Sequence, residues 1–194
     1  MKAITPVLLL VSVGCSSTIY MRDSKPGGNP GPTDSKVVVY RSAVLGGANN
    51  FPIFEYVNND GKLLGFTETG CYFEFRCDPG KHFFLTWGEG EAFVEATLEP
   101  GKIYYLQAWS KFGLISSRPG FAPVKKGSDD MKELEKIWTN LKCRELDPSK
   151  GVQFEEDEEA RVEKAKAAFE AGKKAATQLL PEDGQASFPP QASK

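Results

Sequence analysis

The sequence predicts a mainly β protein: an antiparallel β-sandwich of about seven strands followed by one packed helix and a second, solvated helix. Three observations carry this. Short segments between Lys36 and Ser110 alternate apolar and polar residues with the period of two that a half-buried strand requires. Turn signals such as Asn58-Asn59-Asp60-Gly61, Asp78-Pro79-Gly80 and Glu99-Pro100-Gly101 separate those segments at roughly 8–12 residues, the spacing of a sandwich. The 19 glycines and 13 prolines among 194 residues gather in these turns and at the two ends, so the regular structure lies between them. A net charge of -2 with a pI near 5.6 argues against a nucleic-acid binder, which needs a clustered excess of Lys and Arg.

In chain order, Met1 to Gly14 carries Lys2 and then the apolar run Val7 to Val11, too short to span a bilayer, and reads as an export signal. Its end, Val11-Ser12-Val13-Gly14-Cys15, resembles the bacterial lipoprotein signal, although Ser12 stands where that signal most often has leucine. The resemblance implies cleavage before Cys15, acylation of that cysteine by palmitate-type chains and a membrane-anchored lipoprotein. With Ser16 next, it implies retention in the outer membrane, facing the periplasm, where the cell has one. The other reading is an ordinary secretory signal with Cys15 incidental. Residues 15–35 are rich in Gly, Pro and Ser and poor in apolar side chains, which predicts a flexible tether of roughly 25 Å mean span.

The sandwich is expected over 36–127. Val37 to Tyr40 is a β-branched first strand, Phe51 to Val57 a second, and Lys62 to Thr67 returns after the Asn-Asp-Gly turn. In Cys71 to Cys77 the residues Cys71, Phe73, Phe75 and Cys77 alternate with Tyr72, Glu74 and Arg76. Asp78-Pro79-Gly80 then reverses the chain, and Lys81 to Trp87 follows with Phe83, Leu85 and Trp87 on one face and Phe84 on the other. Gly70 to Trp87 thus reads as a hairpin of two paired strands at the centre of the fold, the second apolar on both faces. Ala92 to Leu98 and Ile103 to Ser110 complete the sheet strands.

The order VNNDGKLLGF, GCYFEFRCDPGKHFF, LEPGKIYYLQ resembles the bacterial family called domain of unknown function 2846 over approximately Lys36 to Ser110. The resemblance implies a prealbumin-like sandwich of the kind found in lipoproteins, and it implies no mechanism.

After the sandwich, Ser128 suits an N-cap, Asp129 and Asp130 suit the first turn, and Met131, Leu134, Ile137, Trp138 and Leu141 recur at helical spacing. A covering helix is therefore expected over Asp129 to Arg144, within a segment 128–147, lying on the doubly apolar hairpin strand. A charged helix is expected over Glu155 to Gln178, within 152–180; its apolar stripe of Val162, Ala165, Phe169 and Ala176 is thin, so it reads as solvated. Residues 181–194 read as a disordered polar tail.

The candidates for chemistry are few. With Cys15 acylated, Cys71, Cys77 and Cys143 remain in an oxidising compartment. Cys71 and Cys77 lie about 20 Å apart on one strand, which leaves Cys143 as the partner and favours a Cys77–Cys143 disulfide, against the alternative of three buried thiols. His82 is the only histidine and sits beside a Pro-Gly turn, a place for a hydrogen-bonded structural residue. Glu89, Glu91 and Glu95 read as solvated, Gly46-Gly47 and Gly88-Glu89-Gly90 lack the helix that follows a phosphate loop, and Tyr104, Tyr105 and Trp109 read as core. No catalytic residue, metal site or cofactor is assigned. The expected role is a non-enzymatic, lipid-anchored envelope protein that meets the membrane and an envelope protein partner and no nucleic acid. The alternative is a periplasmic hydrolase using His82 and nearby carboxylates. A third reading is a structural stress-response lipoprotein with no discrete ligand.

Overall fold

Val37, Val38, Val39 and Tyr40 are each no more than 2% exposed, so the first long strand is covered on both of its faces. The computed structural model, which describes residues 18–42, 49–57, 60–114, 117–151, 156–172 and 175–187, shows how. The strands are β1 (Met21–Asp23), β2 (Ser35–Arg41), β3 (Phe51–Val57), β4 (Asp60–Thr67), β5 (Cys71–Cys77), β6 (Gly80–Trp87), β7 (Glu91–Leu98), β8 (Ile103–Phe112), β9 (Ser117–Pro123), β10 (Lys142–Leu146) and β11 (Thr177–Leu179). Two helices join them, α1 (Asp129–Ile137) and α2 (Glu156–Glu170). One sheet runs β1-β10-β5-β2-β8-β9 and the other β11-β7-β6-β3-β4. The protein is mainly β, as the alternation predicts, and two-layered.

Between the sheets lies the main core, with Val37, Val39, Phe73 and Leu106 from the first sheet against Ile53, Phe84 and Val94 from the second. Each outer face carries a further apolar cluster. On the first sheet Val38, Tyr40, Tyr72 and Tyr105 lie beneath Met131 and Leu134 of α1. On the second, Phe54, Leu85, Trp87 and Phe93 lie beneath Ala165 and Phe169 of α2.

Several expectations are corrected. All seven expected strands form, and four more join them: β1, β9, β10 and β11. The segment from Gly70 to Trp87 is extended as expected, but its two strands do not pair. β5 bonds to β2 with Val37 opposite Phe75, whereas β6 bonds to β3 and β7 with Phe84 opposite Val94. Asp78-Pro79 carries the chain from one sheet to the other, and the three residue steps from Cys77 to Gly80 span about the 10 Å that separates packed sheets. Gly80 takes a φ of 133°, a value side chains rarely adopt.

The covering helix keeps its expected cap, with the Ser128 hydroxyl accepting from the Met131 amide at 3.2 Å. It ends at Ile137 rather than Arg144. A single 3₁₀ turn, Trp138–Asn140, sets the Trp138 ring 4.6 Å from that of Tyr72, and Lys142 to Arg144 then pair in parallel with Cys71 to Phe73. It covers β2, β5 and β8, not β6. The strand β6 is covered instead by α2, the helix expected to be solvated. There Ala165 is 1% exposed and the Phe169 ring lies 4.7 Å from that of Phe83. A thin stripe suffices because the sheet beneath supplies the aromatic surface.

Neither end behaves as a free chain where it is described. Residues 18–34, within the expected tether, form β1 and a strap along the first sheet, with Met21 buried in the main core. In the expected tail, Pro181–Asp183 is a 3₁₀ turn, Asp183 is buried and Gln185 bridges Ile103. Cys15, Gly46, Gly47 and the last residues of the tail lie outside the described residues.

Truncating Phe84, fully buried in the main core, is expected to lower unfolding free energy by about 3–5 kcal/mol, and truncating the half-buried Phe169 by about 1–2 kcal/mol. Urea unfolding of Phe84→Ala and Phe169→Ala checks both; equal losses would contradict the layering described.

Candidate functional site

Two polar clusters are built into the sandwich, one at each end. The first lies where β5 crosses to β6. Glu55 stands opposite Phe84 across the β3–β6 ladder and therefore shares its inward face, with His82 diagonal to it on the same side. The His82 Nδ1 lies 2.5 Å from Glu55 Oε1, and its Nε2 lies 2.7 Å from the Asp78 carbonyl oxygen. The imidazole stacks on the Phe84 ring at 5.8 Å, nearly parallel. Both side chains are about nine-tenths buried, at 10% and 8% exposed.

The carbonyl can only accept, so Nε2 carries a proton, and the ionised carboxylate likewise asks Nδ1 to donate. This arrangement fits an imidazolium. The hydrogen bond to Glu55 raises the His82 pKa above its usual 6.5, assisted by the Asp78 carbonyl and opposed by burial. Chemically the pair clamps the sheet-crossing corner to β3, and it presents no nitrogen lone pair to a substrate. Cys77 faces the same region, but burial first, and then the Glu55 charge, pushes its thiol up to about 12. It is a poor nucleophile there.

The second cluster holds the strap at the other end of the sandwich. Arg144 reaches Asp23 Oδ1 at 2.5 Å through Nη1, the Met21 carbonyl at 2.7 Å through Nη2 and Glu68 Oε2 at 2.8 Å through Nε. Glu68, 2% exposed, also accepts the Thr18 amide at 2.5 Å. Along the outer face of the first sheet, the ammonium of Lys36, 1% exposed, meets Glu74 at 3.1 Å and the Gly27 carbonyl at 3.0 Å. Arg76 binds Asp34 and the carbonyls of Gly28 and Asn29.

The favoured Cys77–Cys143 disulfide is not formed; the two residues remain thiols. Cys143 pairs with Tyr72, five residues along β5 from Cys77, or about 17 Å. The two sulfurs also belong to opposite faces, since Cys143 packs in the cluster under α1 and Cys77 against the main core. No backbone adjustment short of unpairing β10 would join them.

The remaining candidates separate. Glu89 receives the Leu114 amide and pairs with Arg118, while Glu95 bonds Gln178. Tyr104 is in the main core and Tyr105 lies under α1. The Trp109 indole lies over Gly120, where any Cβ would overlap it. Among the described residues no group of three or more His, Cys, Asp or Glu side chains could hold a metal ion, and no helix is long and apolar enough to cross a membrane. Sequence reasoning passed over Glu55, Glu68, Lys36 and Arg144. Two left a signal: Glu55 is in phase with Ile53, and Lys36 with Val38 and Tyr40, so each is a charge at a buried position of an alternating strand. Compared with known proteins, the chain matches no family model, no curated protein and no solved structure.

The pH dependence follows from the raised His82 pKa. A histidine held above its unfolded value contributes its full stabilisation below about pH 6.5 and loses it as pH rises through the folded value. The protein is therefore expected to lose stability as pH rises above about 6.5, and His82→Gln to flatten that part of the profile. Chemical denaturation across pH 5–9 checks it; identical slopes in both proteins would contradict it.

Proposed function

We propose that this chain is a lipid-anchored protein of the cell envelope, processed before Cys15, acylated there and retained at the outer membrane on its periplasmic side. In this reading the sandwich is a non-enzymatic binding or structural module, prealbumin-like and akin to the bacterial domain of unknown function 2846. The observation that carries it is the docking of the strap. The Thr18 amide is bonded to Glu68 on the body of the domain, so Cys15 is only three residues, about 10 Å of extended chain, from the folded surface. A lipid on Cys15 would seat the domain directly at the membrane rather than on a long tether.

The His82 geometry supports the non-catalytic side. A hydrolase using His82 with Glu55 as its orienting carboxylate needs Nε2 for the substrate's proton, and the Asp78 carbonyl occupies that nitrogen. The exposed face of α2, with Ala160, Lys164 and Ala167, is the surface offered to an envelope protein partner in this reading.

Cells fed labelled palmitate are expected to label the protein and to hold it in the membrane fraction, and Cys15→Ala to lose both. Unchanged labelling or unchanged membrane retention in Cys15→Ala would remove the reading.

A further inference from the structure

The strap, residues 18–34, is seated on the sandwich largely through its main chain. Arg144 donates to the Met21 carbonyl at 2.7 Å, the Ser24 amide donates to the Cys143 carbonyl at 3.0 Å, Lys36 donates to the Gly27 carbonyl at 3.0 Å and Arg76 to those of Gly28 and Asn29. The Thr18 and Gly27 amides go to Glu68 and Glu74. Met21 is the buried side chain of the segment, 5% exposed within the main core. The covalent link from strap to sandwich is the step from Asp34 to Ser35. Asp34 stays with the body, since its carbonyl accepts the Gly101 amide at 2.8 Å and its carboxylate pairs with Arg76. The exposed Pro32-Thr33 step just before it is the pivot.

Lifting the strap costs little compared with opening a sheet. Lys36 and Arg144 would then face water instead of a dry interior, and the carbonyls they release would be hydrated. The losses that water does not replace are the burial of Met21 and the stack of Tyr20 on Phe66 at 5.4 Å. Lifting uncovers the pairing edge of β10, cations placed to receive carbonyls, and a slot in the main core. That groove fits this segment in particular. The slot holds Met21, and a Cβ at position 27 would meet Glu74 Oε1 at 2.6 Å, so an apolar anchor must be followed at that distance by glycine.

We propose that two copies of this chain exchange straps, residues 18–34 of each lying on β10 of the other. Exchange replaces each contact in kind, because groove and segment are the same in both copies, and the reciprocal trade closes as a two-fold symmetric dimer. Mass action favours it at high concentration. The inference is independent of how the chain is anchored.

The test uses the full chain in two preparations. Arg22 and Glu145 stand directly opposite each other in the β1–β10 pair, both side chains about half exposed, at a separation that a disulfide spans. One preparation carries Arg22→Cys and the other Glu145→Cys. They are mixed at high concentration in a thiol redox buffer, and the bond is scored by the mass of the peptide pair joining positions 22 and 145, so the native cysteines do not enter. A chain carrying both substitutions is expected to close the bond internally and sets the scale. The mixture is expected to form the same bond between copies, and Met21→Asp in the Arg22→Cys chain to lower its yield about tenfold or more, because a carboxylate does not enter the core. Where Met21→Asp prevents folding, Gly27→Pro takes its place; it removes the amide that Glu74 accepts and is expected to lower the yield as well. A bond within the doubly substituted chain and none between copies confines the strap to its own sandwich and overturns the exchange. A bond between copies that neither substitution lowers reports chance encounter of exposed thiols and also overturns it. Absence of both bonds means that the strap is not seated on β10, and overturns the exchange together with the docking it depends on.

Discussion

A strand whose every residue is buried has to be covered twice, and β2 is such a strand. Its sequence, Ser-Lys-Val-Val-Val-Tyr-Arg, sends Val37 and Val39 into the main core and Lys36, Val38 and Tyr40 to the outer face. A single sandwich interface satisfies only the first set. The second requires α1 over Val38 and Tyr40 and the strap over Lys36. The same constraint acts on β6, where Phe84 faces inward and Leu85 and Trp87 outward, and α2 meets it. The helices and the strap are in this sense consequences of strands too apolar to leave one side to water.

The strap needs a separate explanation, because its sequence is too polar to fold by burial alone. Its order comes from the charges beneath it. Lys36 and Arg144 are withdrawn from water, and a buried cation left without partners would cost several kcal/mol. The sheet supplies Glu74 and Glu68, and the strap supplies main-chain carbonyls at Met21 and Gly27. Arg76 takes the carbonyls of Gly28 and Asn29 in the same way. Glycine suits the approach: a Cβ on Gly27 would meet Glu74 Oε1 at 2.6 Å. Composition alone therefore misleads here, since a segment with few apolar residues is held by what it accepts.

Much of the fold was legible in the sequence. Alternation located strands such as β7, where Val94, Ala96 and Leu98 are buried at every second residue, the β-branched run Val37 to Val39 located β2, and Ser128 with its two aspartates located the start of α1. The sheet crossing at Asp78-Pro79-Gly80 was not legible, because a turn signal specifies reversal and not the partner of the strand that follows. Short β1, β10 and β11 left no periodicity of their own. Lys142 to Arg144 also followed a helical run whose apolar spacing extended to Leu141, which hid the change to strand. Of the polar sites, His82 was expected to be hydrogen-bonded and is. Its partner Glu55 comes from a strand 27 residues earlier, a contact that only the pairing of β3 with β6 creates.

The strap is part of the folded body and not a tether. Native-state hydrogen exchange tests it at named amides: Ser24 donates to the Cys143 carbonyl at 3.0 Å and Gly27 to Glu74 at 2.5 Å. These amides are expected to exchange well below the unprotected rate, with Ser24 slowed further than Gly27 because its acceptor is a main-chain carbonyl of β10 and that of Gly27 is a side-chain carboxylate. Exchange of both at the rate of a free peptide, while Val38 and Phe84 stay protected, would contradict the account.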